Sequence, residues 1–485
     1  MSIVLQSGLV TLVGSDRFYE DEATLELYSK DHSFVSPRKA LCVVKPKDTD
    51  QIKEIIDLAN KTKMPIIPIS SGPPRFHGDT VPTGGGVCVD LSELNQIVRV
   101  DRRNRIAVIE PGVTFDTLRS ALEAKGMVPY TPLLPRSTKS VLASFLEREP
   151  ITIPKDHWDF CDPLVGGEIV FGNGHIQRFG DTAQGSKREV GTGEIIPVHP
   201  LGPSSIDWLR LVQGSQGTLG IVSWASIYCR IKSCIQRPFL VAAQNLGDLL
   251  PFTEKVLRRR IVEEFFILNS FSLANVLAEE GQEIKTLQAS LPAWVLFLNI
   301  AGYERHPEEK VEYKEEQVRE MATQERLQLK GEVGGVSALA ILGILGKTAK
   351  CDRRLRYKGS CQVLPFETTL DRTPGIAHLT TEIAGEHGYP TADLSIYIQP
   401  IIQGCQCQCE VVIPYEPQDG TEVEKVKSLF MDIAEKIHSA GAYYSRPYGM
   451  LANIVYRDAE ITSVLRKIKM IFDPNDIMNS GKLCF

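Results

Sequence analysis

No stretch of this sequence is both long and apolar enough to cross a bilayer. The best, VSALAILGILGKTAKC at 336–351, has only the length of a buried helix. The first residues, MSIVLQSGLVTLVGSDRFYEDEA, carry no basic leader and no small-residue cleavage pattern, so no signal peptide is expected. Positive charge is not in excess: 54 Lys and Arg face 60 Asp and Glu, and a net charge of −6 argues against a broad nucleic-acid surface. A cytoplasmic protein with no membrane span and no nucleic-acid partner is the expectation. Eleven cysteines, odd in number and scattered, fit reduced thiols better than a disulfide framework. There is no internal repeat, no low-complexity tract, and no C-x-x-C-x-x-C run that would hold an iron–sulfur cluster.

What is present is an ordinary globular composition, 43% hydrophobic and 24% charged, over 485 residues. That length exceeds what one core usually supports, so two domains, or one with a large insertion, are expected. ALCVVKPKDTDQIKEIIDLANKTKMPIIPISSG reads as strand, helix, strand, with Asp48 or Thr49 as cap and Ile52, Ile55, Ile56 and Ala59 at helical spacing. TFDTLRSALEAKG is a helix capped by Thr114 and stopped at Gly126, and Asn173-Gly174 signals a hairpin. From about Ser233 the character changes to longer amphipathic helices, such as GDLLPFTEKVLRRRIVEEFF, set between strands, which predicts a separate α+β lobe.

Between two of the strands lies PISSGPPRFHGDTVPTGGGVCVDLS, far longer than the roughly two to six residues of most connections. Gly72 and Gly78, with Ser70 and Ser71, would let backbone N–H groups approach an oxyanion without Cβ obstruction. Neither G-x-G-x-x-G spacing nor a following G-K-[ST] is present, so this is neither a dinucleotide fingerprint nor a P-loop. A surface loop with turns is the competing reading of glycine content alone.

The order PIIPISSGPPRFHGDTVP, VDLSELNQIVRVD, AVIEPGVTFDTLRSALEAKGM, EIVFGNGHIQRFG, GSQGTLGIVSWA, FDPNDIMNSGKL resembles the PCMH-type FAD-binding domain of the vanillyl-alcohol oxidase and p-cresol methylhydroxylase family. The D-lactate dehydrogenases and the flavin subunit of glycolate oxidase share that family. The resemblance covers about residues 20–230 and 440–485. It implies an α+β fold: a two-subdomain FAD-binding domain over 1–235, an inserted α+β cap over 236–435, and a segment over 436–485 returning to the first domain. It also implies FAD as cofactor. Pro68, Ile69, Ser70, Ser71, Gly72, Pro73, Pro74, Arg75, Phe76, His77 and Gly78 would wrap the diphosphate, and Ser137, Thr138, Ser140 and Ser144 would line a second wall. Gly217, Gly220, Ile221 and Val222 would reach the adenosine and flavin, with Lys482 near the tail. Where many relatives have glycines, this chain has RSTKSV, so Ser, Thr and Lys side chains there would partly replace backbone donors.

Flavin dehydrogenation delivers a hydride to N5 and a proton to a base. Glu147, in SFLEREP, falls where phenol-oxidising members carry an acid near N5 and is the first candidate base; an ion pair with Arg148 is the structural alternative. His77 stands in place of a phenolate-holding Tyr, and Ser445 in place of the Tyr before Arg446. Arg446 retains a planar fork suited to a carboxylate. Tyr444 is a further candidate, with packing as its alternative. In QGCQCQCEVVIPY, alternation sets Cys405, Cys407 and Cys409 on one face and Gln408 and Glu410 on the other. Thiols about 7 Å apart along a strand do not make an unstrained metal site, so no metal is expected. With Gln399, Gln408 and Glu410 are candidates for the substrate pocket.

The resulting expectation is a FAD-dependent dehydrogenase acting on a small organic substrate, a carboxylate-bearing hydroxy acid, and passing electrons to a separate acceptor such as an iron–sulfur subunit. A 4-alkylphenol or alcohol oxidase, and a FAD-containing electron-transfer subunit with no substrate of its own, are the alternatives. Assembly into an oligomer through a cap helix or the GKLCF tail is compatible with the sequence.

Overall fold

Strand Cys42–Val44 leads into helix Thr49–Thr62, where Asp48 caps the first turn by accepting from the Gln51 amide, and then into strand Ile66–Ile69. The computed structural model describes residues 3–157, 162–180, 187–188, 195–196 and 207–485. The two strands of this unit are not neighbours, because Val87–Asp90 lies between them and runs parallel to both. Parallel neighbours cannot be joined by a tight turn. The glycine-rich segment therefore leaves the carboxyl end of Ile66–Ile69 and travels back to the start of Val87–Asp90. Its length has a topological cause as well as room for a ligand.

A second sheet is antiparallel and takes the order Ile97–Asp101, Ile106–Ile109, Gly220–Ile231, Leu164–Phe171, Ile176–Gly180, with Met127–Pro129 paired to the far half of Gly220–Ile231. Asn173 and Gly174 turn the hairpin, with Gly174 at φ +82°. Helix Phe115–Glu123 packs on this sheet through buried Phe115, Leu118 and Leu122, and Thr114 caps it. Leu5, Ile52, Ile55, Val89, Val170 and Ile221 share one apolar cluster that joins the first sheet to the second.

The third sheet, six antiparallel strands, is drawn from later residues: Ile235–Ala243, Trp294–Gly302, Phe265–Asn269, Ser395–Ile401, Gln406–Tyr415, Ser360–Thr368. One cluster, including Phe252, Val311, Leu364, Val411 and Leu429, holds helices against it. The segment expected as one long helix from residue 247 is divided. Helix Leu250–Arg259 ends at Arg260, φ +56°, and Phe265–Asn269 is a buried strand instead. The three-thiol face is also corrected. The strand begins at Gln406, so Cys407 and Cys409 are buried in the core while Cys405 precedes it and is exposed. No described helix is long and apolar enough to cross a membrane.

Candidate active site

The carboxyl end of strand Ile66–Ile69 opens into a cavity of about 1000 Å³. Pro68, Ile69, Ser70 and Ser71 form one wall, Arg75, Phe76, His77 and Asp79 another, and Gly217, Gly220, Ile221 and Val222 a third. Two glycines are required where they stand. A Cβ on Gly217, at φ +71°, would meet Pro68 Cγ at 2.4 Å, and one on Gly220 would meet the Val170 carbonyl at 2.3 Å.

The amides expected to cradle an anion are partly reassigned. The Gly72 N–H donates to the Thr138 carbonyl at 3.0 Å, and the Gly78 N–H donates to Asp31 at 2.5 Å. Among the described residues, no group accepts from the amides of Ser70, Ser71, His77 or Asp79, all of which line the cavity. Open N–H donors facing a cavity favour an anionic ligand, because a buried anion needs donors to replace lost water.

Gly72, Pro73, Pro74, Gly78, Ser137, Thr138, Ser140, Ser144 and Lys482 do not line this cavity but support its walls. Thr138 donates its hydroxyl to the Pro73 carbonyl, and the Ser137 amide donates to the Ala349 carbonyl. Ser140 caps helix Val141–Leu146, Ser144 donates to Glu149 at 2.6 Å, and Lys482 donates to the carbonyls of Gly78 and Val81.

Glu147, at the end of that helix, does line the cavity. Its ion-pair partner is Lys139 at 2.5 Å, not Arg148. The His77 ring stacks on Tyr448 with centroids 4.3 Å apart and planes inclined by 12°. Burial, with Lys139, Arg446 and Arg354 adding to it, holds the imidazole pKa well below its ordinary value, so the ring is neutral at pH 7. Asp79 was not singled out in the sequence. Burial, reinforced by Glu147 and Asp31, raises its carboxyl to about 7 against the pull of Lys139 and Lys482.

A smaller cavity of about 620 Å³ adjoins the first and shares Arg136 and Lys139 with it. Arg446, Gln408 and Glu410 line it, joined by Glu149, Asp352, Arg353, Arg354 and Tyr397. Glu410 pairs with Arg353 at 3.0 Å and Arg354 at 3.5 Å. Burial pushes the Glu149 carboxyl up, but Lys139, the Ser144 hydroxyl, Arg446 and Arg354 together bring it down to about 2. Gln408 donates its amide to the Arg148 carbonyl and to Glu367, leaving its side-chain oxygen buried and without a partner.

Two candidates lie apart. Gln399 is buried among Phe265, Pro400 and Tyr397, accepting from the Tyr397 hydroxyl at 2.6 Å. Tyr444 donates to the Ala434 carbonyl at 2.6 Å inside the core. Neither lines the two adjoining cavities. Lys139 is the lysine of RSTKSV, whereas Arg136 and Glu149 lie in RSTKSV and SFLEREP with no spacing that sets them apart from their neighbours. Arg353 and Arg354 are 57 and 56 residues from Glu410, and no local motif links them.

Residues 40–180 match the family described as FAD binding domain. The glycolate oxidase subunit GlcD of Bacillus subtilis is 24% identical over 99% of this chain and 96% of its own length. D-2-hydroxyglutarate dehydrogenase of Stutzerimonas stutzeri is 22% identical over 98% and 97%. Among solved structures, 4-ethylphenol oxidase from Gulosibacter chungangensis superposes with a TM-score of 0.81 at 18% identity, covering 99% of this chain and 97% of its own. p-Cresol methylhydroxylase does so with 0.80 at 16%, covering 99% and 96%. A matched FAD binding domain that includes the cavity's first wall, and a fold shared along the whole chain, lead to one conclusion: the chain carries a FAD binding domain, is similar to the PCMH-type flavoproteins in fold, and is a FAD-linked oxidoreductase.

Proposed function

We propose that the chain dehydrogenates a small hydroxy acid and hands the electrons to a separate acceptor protein. The observation that carries this reading is Arg446. It is 7% exposed, lines the smaller cavity, and has no carboxylate within ion-pairing distance among the described residues. Glu149 and Glu367 act on this guanidinium only from beyond ion-pairing distance, and a substrate carboxylate would complete it through a bidentate contact.

The open amides of Ser70 and Ser71 would hold the FAD diphosphate, and Ile221 and Val222 would offer apolar walls. Bound FAD supplies the two-electron acceptor for a hydride from the substrate carbinol carbon. His77, neutral and with no hydrogen-bond partner on its ring among the described residues, takes the hydroxyl proton. Glu147 holds Lys139 between the two cavities, and Lys139 also reaches Glu149 at 3.3 Å. The relative from Bacillus subtilis is itself one subunit of a glycolate oxidase, which supports a separate acceptor protein.

The test is anaerobic mixing of the FAD-loaded protein with hydroxy acids and, in parallel, 4-alkylphenols, following flavin absorbance. Bleaching by hydroxy acids alone is the expected result. Bleaching by phenols alone, or by a reduced partner protein alone, would overturn the reading.

A further inference from the structure

Helix Ala459–Phe472 turns apolar side chains to the outside. Ile461, Val464, Met470 and Ile471 on it are 52% to 65% exposed, and Tyr443, which shares a groove with Ile461, is 56% exposed. That groove holds about 1120 Å³, and Leu211, Leu219, Leu465 and Ile468 also line it. Large apolar side chains scattered singly are ordinary on a protein surface, whereas a gathering of them marks an interaction site.

The surroundings of the groove select its occupant. Gly214 and Ser215 line both this groove and the cavity assigned to FAD, so a single loop separates the two. Electron tunnelling weakens exponentially with distance, which makes this a short route out of the cofactor cavity. Arg148 and Arg210 line the groove, and among the described residues no Asp or Glu side chain does. Arg210 is paired with Asp207 at 3.0 Å yet its side chain stays 58% exposed. The helix itself carries one carboxylate, Glu460, against exposed Arg466 and Lys467. A two-fold contact between copies would set these cations against themselves, which disfavours a second copy as occupant. The apolar patch also runs past the groove to Val464, Met470 and Ile471, which a bound small molecule would leave bare.

We propose that this groove is the docking surface for the electron acceptor, a redox protein that seats an apolar segment against helix Ala459–Phe472 and sets carboxylates against Arg148 and Arg210. The inference rests on the separate acceptor in the reading above and gives it a place on the molecule.

The probe is an acidic c-type cytochrome, with a basic one as control. The FAD-loaded protein is reduced anaerobically by light, with EDTA as electron donor, so that no substrate enters the measurement. Each reduced flavin then gives one electron to each of two ferric haems and releases a proton to solvent. Calorimetric binding and stopped-flow haem reduction should both favour the acidic cytochrome at least tenfold, and that advantage should shrink as salt rises. Ile461→Glu should weaken binding and slow haem reduction about tenfold, while reduction of benzoquinone, a small neutral acceptor, stays unchanged. Arg210→Gln should do the same less strongly and lose part of the salt dependence. Both side chains are more than half exposed, so melting temperature and flavin absorbance should match wild type. Equal behaviour of the two cytochromes, or an Ile461→Glu protein that binds and reduces the acidic one as wild type does, overturns the proposal. So does a dimer, or binding to phosphatidylglycerol vesicles, that Ile461→Glu abolishes, because a second copy or a membrane would then cover the groove. Each of these outcomes leaves the hydroxy-acid reading standing, since that is decided by substrate bleaching.

Discussion

His77 and Asp79 are two residues apart, face one cavity, and respond to burial in opposite senses. Burial disfavours charge, so the imidazole loses its proton readily while the carboxyl keeps one. If His77 is the proton acceptor, it must be neutral to act, and its pKa lies below the ordinary 6.5. Flavin reduction should then be flat above pH 6.5 and fall only toward more acid pH. His77→Asn should slow reduction by about 10²-fold or more without altering the flavin spectrum, measured by stopped flow. Asp79 gives a stability signature instead. Its carboxyl holds a proton up to about 7 when folded but releases it near 3.8 when unfolded, so folded stability declines as pH rises between those values. With flavin removed, Asp79→Asn should melt above wild type at pH 8 and lose that advantage below pH 4. An advantage equal at both pH values would count against an ionisation effect. His77 was legible because it sits inside a glycine-rich run; Asp79 was not, since a carboxyl's burial depends on what folds over it.

Helix Ala459–Phe472 shows the same limit one level up. Its apolar spacing and its stop before Pro474 are readable in sequence, but its anchor is not. Lys469 is 4% exposed and donates to Asp473 at 2.7 Å, the Thr218 carbonyl at 2.9 Å and the Met478 carbonyl at 3.0 Å. That fixes the helix to the loop preceding strand Gly220–Ile231, which forms one cavity wall. Lys469→Met would strand a buried carboxylate, and denaturant unfolding should show a loss of about 3–5 kcal/mol. Lys469→Met with Asp473→Leu should recover part of it. Elements with strong local signals, such as helix Thr49–Thr62 and the Asn173–Gly174 hairpin, appear where periodicity and turn chemistry predict them. The division at Arg260 was hidden because its left-handed turn carries no glycine to announce it.

Across the whole molecule, the two cavities are assembled from segments far apart in the chain. The fold and the first cavity's walls could be read because each wall is a contiguous run, Pro68–Ser71 or Gly220–Val222. The smaller cavity could be read only in part: Arg446, Gln408 and Glu410 are candidates in the sequence, whereas Arg136 and Arg353 join them only in three dimensions. The tail adds a clasp. Asn479 donates to the Asp79 carbonyl at 2.9 Å and the Gln216 carbonyl at 2.7 Å, while Lys482 donates to Gly78 and Val81. Asn479→Ala should take the shared donor from these two carbonyls and weaken flavin retention about tenfold, near 1.4 kcal/mol, as read by fluorescence titration of the stripped protein. Unchanged retention would mean that the clasp is independent of the ligand.

Lys482 meets Gly78 across a separation of 404 residues. A nascent polypeptide therefore presents the early loop to the ribosome exit long before its fastener has been translated. Firm capture of the coloured prosthetic group would then wait for synthesis of the tail, and a chain terminated before Lys482 would emerge pale.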